Sequence, residues 1–128
     1  MLKNGQTAAT LAVSDIGRAS KFYKETLGFS VMQENPAGVM FQSGQGTAFL
    51  VYPSEFAGTN KATAMSINVD DFKAAVADLR QKGITFMDFD YPEFKTENGI
   101  AQTPDGPAAW FTDPDGNIIA LTQMQTPS

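Results

Sequence analysis

The chain has 128 residues, 42% of them hydrophobic and 18% charged, a balance typical of one soluble globular domain. Its net charge is −5, its lysines and arginines are scattered, and it contains neither histidine nor cysteine. We therefore expect no nucleic-acid partner, no disulfide and no histidine-activated nucleophile, and the lack of a long apolar run or N-terminal signal favours a cytoplasmic protein without a membrane segment.

The first half of the chain predicts a strand, a helix and three more strands. Residues 7–13 form the first strand, and Ser14 or Asp15 caps a helix whose apolar side chains recur three and four residues apart. Gly28 stands where a helix-ending glycine belongs. Short apolar segments between turn sequences then predict strands at 29–33, 39–42 and 47–52.

The pattern restarts after a polar, non-periodic stretch at residues 53–61, which we interpret as a linker. A strand at 62–69 precedes a helix that Asp70 or Asp71 caps and Gly83 ends. A polar loop is predicted at 91–98. Strands are predicted at 84–89, 99–103, 108–111 and 117–123.

The two halves are related by an internal repeat. Thr7-Ala8 recurs as Thr63-Ala64, and Asp15 recurs as Asp71, at one constant spacing. The order of predicted elements repeats as well, so we expect one domain made of two βαβββ modules, at about 1–53 and 62–128. The sequence DPDGN at 113–117 predicts a tight turn, and hence a β-hairpin, near the end of the second module.

Several short segments identify a family pattern by their order: LAVSD at 11–15, FY at 22–23, LGF at 27–29, VDD at 69–71 and DPDGN at 113–117. Together they resemble the vicinal oxygen chelate superfamily, which contains glyoxalases, extradiol dioxygenases, fosfomycin-resistance enzymes and bleomycin-binding proteins. The resemblance implies an α+β fold in which two βαβββ modules form curved mixed sheets around a concave cleft. It also implies a homodimer.

The resemblance further implies where a metal ion would bind. The ligand positions of metal-dependent relatives correspond to Ala8, Ala64 and Ala120, with a fourth at about Phe49 or Leu50. Hydrocarbon side chains have no lone pair to offer a metal ion. We therefore predict neither a metal nor a cofactor.

Strand alternation predicts which side chains line the implied cleft, because residues two apart share a face. That face carries small or weakly polar residues: Ala8, Thr10, Ala12, Ala64, Ser66, Asn68, Ala120 and Thr122. The opposite faces are expected to pack beneath the helices through Leu11, Val13, Met65, Ile67, Val69, Ile119 and Leu121.

Aromatic side chains are the other candidates for ligand contact: Phe41, Phe49, Tyr52, Tyr91, Phe94 and Trp110. Any one of them can equally belong to the core, where large apolar side chains usually lie. Trp110 and Phe111 are neighbours on a strand and must face opposite sides, and we prefer Trp110 as the residue that faces the cleft.

One carboxylate cluster is evident: Asp88, Asp90, Glu93 and Glu97. In the predicted strand Asp88 and Asp90 share a face, where like charges could raise the pKa of one carboxyl group for acid–base catalysis. The alternative, which we favour, is a solvated edge and loop.

Two functions therefore remain open. The first is a metal-independent protein that binds a small neutral or aromatic organic ligand, as bleomycin-resistance proteins do. The second is a glyoxalase-like lyase, isomerase or dioxygenase-related enzyme that uses Asp, Glu or Tyr in place of the metal, with catalytic residues unidentified. We favour binding, because it requires no catalytic group, although a shared fold does not decide function.

Overall fold

The computed structural model of the chain describes residues 1–123, so the last five residues of the predicted second module lie outside the described range. The described chain forms two units. The first comprises Met1–Asn60 together with Pro114–Asn117, and the second comprises Lys61–Asp113 together with the chain from Ile118 onward. No helix within residues 1–123 is both long and apolar enough to cross a membrane.

The first unit is a four-stranded mixed sheet with one helix. Its strands lie in the order β1-β4-β3-β2, with β1 and β4 parallel and the other pairs antiparallel. The helix continues through one π-helical turn, Phe22–Thr26, and single 3₁₀ turns lie at Leu2–Asn4 and Gly44–Gly46. The elements are β1 (Ala9–Val13), α1 (Ile16–Lys21), β2 (Ser30–Asn35), β3 (Gly38–Gln42) and β4 (Ala48–Pro53).

An aromatic cluster forms the core between this sheet and its helix. Tyr23, Phe41 and Phe49 are almost fully buried, with ring centroids 5.4–5.8 Å apart. Asp15 begins the helix, since its carboxylate accepts a hydrogen bond from the Arg18 N–H at 3.1 Å. The predicted cap is therefore confirmed.

The second unit repeats this architecture. Its main sheet has the order β5-β10-β9-β8, with β5 and β10 parallel, and Asp71 caps its helix by accepting from the Ala74 N–H at 3.1 Å. The α+β fold with two βαβββ repeats is confirmed. The elements are β5 (Thr63–Asn68), α2 (Phe72–Gln81), β6 (Asp90–Tyr91), β7 (Phe94–Lys95), β8 (Ile100–Thr103), β9 (Gly106–Thr112) and β10 (Ile118–Thr122).

The predicted inner faces are also confirmed for β1 and β10. Leu11, Val13, Ile119 and Leu121 are each at most 2% exposed. Met65, Ile67 and Val69, on or beside the edge strand β5, are only half-buried. Burial of one face and exposure of the other is what keeps the register of such strands fixed.

Two predictions about the segment after α2 are wrong. Residues 84–89 are not a strand, and the predicted loop 91–98 contains the small antiparallel hairpin of β6 and β7. The alternation of apolar residues at 84–89 reflects which side chains are buried, although the segment does not pair with a neighbouring strand. Phe86 packs edge-on against Phe111, and Met87 donates one hydrogen bond to the Trp110 carbonyl at 2.8 Å.

The turn between β9 and β10 belongs to the first unit although its two strands belong to the second. The Asp115 carboxylate accepts from the Ser14 N–H at 3.1 Å and the Ser14 hydroxyl at 2.6 Å, and it pairs with Arg18 at 3.2 Å. Asn117 donates from its side-chain amide to the Ala12 carbonyl at 2.8 Å. The DPDGN sequence therefore does more than close a hairpin, because Asp115 bonds the start of α1 and Asn117 bonds the end of β1.

We expect Asp115→Ala to lower the free energy of unfolding by roughly 2–4 kcal/mol, because charge-assisted hydrogen bonds to a buried group are costly to remove. The Asp115 side chain is 6% exposed. Urea denaturation measures the change. The control is Asp78→Ala, whose carboxylate is 56% exposed and pairs with Lys82 one helical turn away, for a change of about 0.5 kcal/mol or less. Equal effects of the two substitutions would contradict the assigned role.

Candidate functional site

A cavity of about 360 Å³ lies on the open face of the second unit's main sheet. Strand register explains which side chains reach it. Trp110 pairs with Ala120, which in turn pairs with Ser66 on β5, so the three side chains share one face. Ala108 and Thr122 pair on the same face. The volume falls within the range of small-molecule sites in proteins.

The lining is mostly uncharged. Four hydroxyl groups surround a floor of small side chains, and one wall is the Trp110 indole. The hydroxyls belong to Thr63, Ser66, Thr103 and Thr122. The floor consists of Gly106, Pro107, Ala108 and Ala120, and the remaining lining residue is Asp105, the one ionisable group. Such a surface can stack on a ring and offer hydrogen bonds at several points.

Trp110 takes the open side of its strand and Phe111 the buried side. Phe111 is 1% exposed and packs on Phe86, whereas Trp110 is half-buried. Phe94 and Phe89 contact the indole edge-on, with centroids 5.1 and 5.7 Å away. The two phenyl rings therefore hold the indole plane in place at the cavity wall.

Asp88 organises the segment that carries these phenyl rings. Its carboxylate accepts hydrogen bonds from the Thr96 hydroxyl at 2.8 Å and the Gly99 N–H at 2.7 Å. The Thr96 hydroxyl also accepts from the Phe89 N–H at 2.8 Å. Gly99 has a φ of +77°, and a Cβ there would lie 2.6 Å from the Phe86 Cβ, so only glycine fits this turn.

The hydrogen bond from Thr96, followed by the one from Gly99 and the charge of Arg80, lowers the pKa of Asp88 and outweighs the opposing effect of burial. The acid–base hypothesis required a raised pKa at Asp88 or Asp90. This hypothesis is wrong for Asp88, because its carboxylate oxygens face hydrogen-bond donors and not a second carboxylate, so that its pKa is lowered. Asp90 lies 3.8 Å from the Lys95 ammonium, and both side chains are well exposed.

Four predicted site residues meet in this cavity: Ser66, Trp110, Ala120 and Thr122. Asn68 lies beside it, with its side-chain oxygen 3.4 Å from the Thr122 hydroxyl, and Ala64 precedes Ser66 on the half-buried part of β5. Tyr91 is 59% exposed and stacks on Phe89.

The remaining predicted site residues lie in the first unit. Thr10 and Tyr52 share the open face of its sheet, while Ala8 is exposed just before β1. Phe41 and Phe49 lie on the opposite face, 0% and 2% exposed within the aromatic core. This burial argues against ligand contact by either ring. Strand alternation applied to β4 would have separated Phe49 from Tyr52, which lies three residues away.

Sequence reasoning missed six lining residues: Thr63, Thr103, Asp105, Gly106, Pro107 and Ala108. A register shift on β5 beside Ile118 brings Thr63 to the cavity, and such an irregularity has no sequence signal here. The other five lie at the turn between β8 and β9 or at the start of β9, where PDG at 104–106 marks a turn without revealing the cavity beside it.

The positions implied for metal ligands do not suit a metal ion. Ala120 lies in the floor of the cavity next to Trp110, and Ala64 and Ala8 have no donor atom beyond the backbone. In the first unit Phe49 is buried, and Leu50 pairs with Thr10 on the open face. Within residues 1–123, no three side chains of His, Cys, Asp or Glu converge to form a possible metal site.

A second depression, of about 400 Å³, lies at the end of α2 beside Arg80, Phe86 and Asn98. Its one cation is already engaged, since Arg80 donates to the Asn98 carbonyl at 2.5 Å and lies 5.5 Å from the Phe86 ring centroid. We therefore place the candidate site in the Trp110 cavity despite its slightly smaller volume.

Thr96→Val is expected to raise the pKa of Asp88 toward its ordinary value of 3.8, because it removes the largest stabilising contact of the carboxylate. In the wild-type protein the folded-state pKa lies below the unfolded-state one. Asp88 therefore stabilises the fold above that ordinary value, and the contribution disappears as pH falls through the lowered pKa.

A carbon-detected NMR titration of the Asp88 carboxyl group measures this shift. The control is Thr47→Val, whose hydroxyl bonds Ser43 and Gly44 in the first unit. An unchanged Asp88 titration in Thr96→Val would refute the assigned hydrogen bond.

Comparison with known proteins places the fold. A family model described as the Glyoxalase/Bleomycin resistance protein/Dioxygenase superfamily matches residues 5–121. None of the curated proteins matches.

The similar solved structures include two that are more than 25% identical to this chain. TnmS3, an antibiotic binding protein from Streptomyces sp. CB03234, is 27% identical with a TM-score of 0.63, and the match covers 95% of this chain and 98% of that one. A member of the same superfamily from Sphaerobacter thermophilus is 28% identical with a TM-score of 0.68, covering 95% and 99%. A bleomycin-binding protein complexed with bleomycin has a TM-score of 0.73 and covers 95% and 100%; at 20% identity this likeness shows the fold alone.

Proposed function

The chain belongs to the glyoxalase/bleomycin resistance protein/dioxygenase superfamily, and from this premise we propose that it is a metal-independent binding protein for an aromatic organic molecule. The ligand lies on the open face of the second unit, with a ring against Trp110. The observation that carries the proposal is the cavity of about 360 Å³, in which one indole wall, an alanine floor and four hydroxyls converge.

The relatives support a small-molecule-binding function, but they do not identify the ligand. TnmS3 is described as an antibiotic binding protein, and the superfamily as a whole includes bleomycin-resistance proteins. Binding in this cavity needs shape, stacking and hydrogen bonds, all of which its lining supplies. A natural or synthetic aromatic antibiotic is thus one ligand class to examine first.

The cavity chemistry favours binding over catalysis. Among the lining residues within positions 1–123, Asp105 alone is ionisable. General acid–base catalysis in this cavity would need a second positioned acid or base beside Asp105. The hydroxyls of threonine and serine are weak acids and weak bases without an activating partner.

Ala120→Phe is expected to abolish ligand binding, because a phenyl ring at this position fills the space in front of the indole. Ala120 is 4% exposed and faces Trp110 across the strands. Trp110 is the only tryptophan of the chain, so quenching of its fluorescence reports occupancy directly. The probes are bleomycin and a library of aromatic metabolites, with a thermal-shift measurement beside each, since a ligand selective for the native state raises Tm.

The matched control is Ala77→Phe, which adds the same ring to the exposed surface of α2 outside the cavity. Trp110→Ala, followed by thermal shift, should weaken binding roughly tenfold or more, as removal of a central aromatic contact does. Binding that survives both Ala120→Phe and Trp110→Ala would place the ligand elsewhere, and the absence of any ligand across the library would overturn the proposal.

Metal independence has its own test. Dialysis against a chelator should leave the ligand affinity unchanged, because the lining offers hydroxyl groups and a single carboxylate but no converging set of metal ligands. The same titration of Trp110 fluorescence measures it, before and after addition of a divalent transition metal. Affinity that falls with the chelator and returns with the metal would contradict this part of the proposal.

A further inference from the structure

We infer that the ligand is an elongated organic cation, with an aromatic end on Trp110 and a positively charged end at Asp105. This inference rests on the proposed function and names the substrate class of the same cavity. A neutral ligand, as the sequence alone suggested, is the competing possibility. The distinguishing observation is that the lining contains one ionisable residue, Asp105, at the turn before β9, and one large ring, Trp110, further along the same strand.

The separation of the two groups follows from the strand between them. Gly106 and Trp110 lie on the same face of β9, four residues apart. At about 3.4 Å per residue, the strand places the backbone of Trp110 and the turn that carries Asp105 about 14 Å apart. A compact ligand cannot contact both, whereas a molecule with a ring, a spacer and a charged group can.

The turn holds Asp105 in a fixed place. The Thr103 hydroxyl donates to the Gly106 carbonyl at 2.7 Å and accepts from the Asp105 N–H at 3.2 Å. Gly106 has a φ of +132°, and a Cβ at this position would collide with the Gln123 carbonyl oxygen. The backbone on both sides of Asp105 is therefore constrained, while its side chain is exposed and accessible to a ligand.

The charge at this end favours a cation. Within residues 1–123 no lysine or arginine lies within ion-pair distance of the Asp105 carboxylate; the ion pairs of the described chain involve Asp115, Asp78 and Asp90 instead. The whole chain carries a net charge of −5, so the long-range field also attracts cations and repels anions. A ligand ending in a carboxylate would meet like charge at Asp105.

The test uses a matched series of probes with the intact protein. Each probe has a phenyl ring, an alkyl spacer of increasing length and one of three ends: trimethylammonium, the neutral isostere tert-butyl, or carboxylate. Trp110 quenching gives each affinity. We expect the trimethylammonium series to bind roughly three- to tenfold more tightly than the tert-butyl series, with an optimum near 14 Å and a preference that shrinks with added salt.

Asp105→Asn should remove the preference for the cation, so that the trimethylammonium and tert-butyl probes of each length bind this variant with equal affinity. The control is Asp78→Asn, which changes the net charge equally but lies on α2. Equal binding of cationic and neutral probes to the wild-type protein, or a preference that persists in Asp105→Asn, would overturn the inference and leave the proposed function standing. If no probe of the series and no library compound quenches Trp110, the proposed function fails with it.

Discussion

The hydrogen bonds of Asp115 are the interaction that fixes the turn between β9 and β10 at the start of α1. The hairpin of β9 and β10 supplies the wall and the floor of the cavity through Trp110 and Ala120, yet its turn clusters with the first unit. A single carboxylate, 6% exposed, bonds the Ser14 backbone and hydroxyl and the Arg18 guanidinium. Within the first unit, one side chain thereby holds the turn at 114–117 against the beginning of α1.

Much of the fold could be predicted because local chemistry and burial agree in each repeat. Asp15 and Asp71 cap helices as the sequence indicates, and the alternation in β1 and β10 buries the expected face. The segment at 84–89 misled because alternation records which side is buried, not whether a neighbouring strand supplies hydrogen bonds. Phe86 is buried against Phe111 and Gly99, although its backbone is not part of a β-strand.

The candidate site was predictable only in part, for a similar reason. The open-face positions Ser66, Trp110, Ala120 and Thr122 follow from strand period and repeat order. Asp105 and Thr103 do not, because a turn sequence says nothing about which cavity lies beside it. Phe41 and Phe49 show the converse error, in which ring chemistry outweighed the face that the strand assigns. The homodimer implied by the resemblance stays a prediction.

The alanines in the cavity floor have a consequence for how such a protein changes over evolutionary time. Ala108 and Ala120 set the depth of the cavity, while the caps, the aromatic core and the Asp115 contacts that maintain the fold use other residues. Both alanines are also 4% exposed, so a larger side chain in the floor would press on packed neighbours as well as reduce the depth of the cavity. The packing of this sheet and the shape of its open face therefore depend on the same two side chains, and neither property can change without the other.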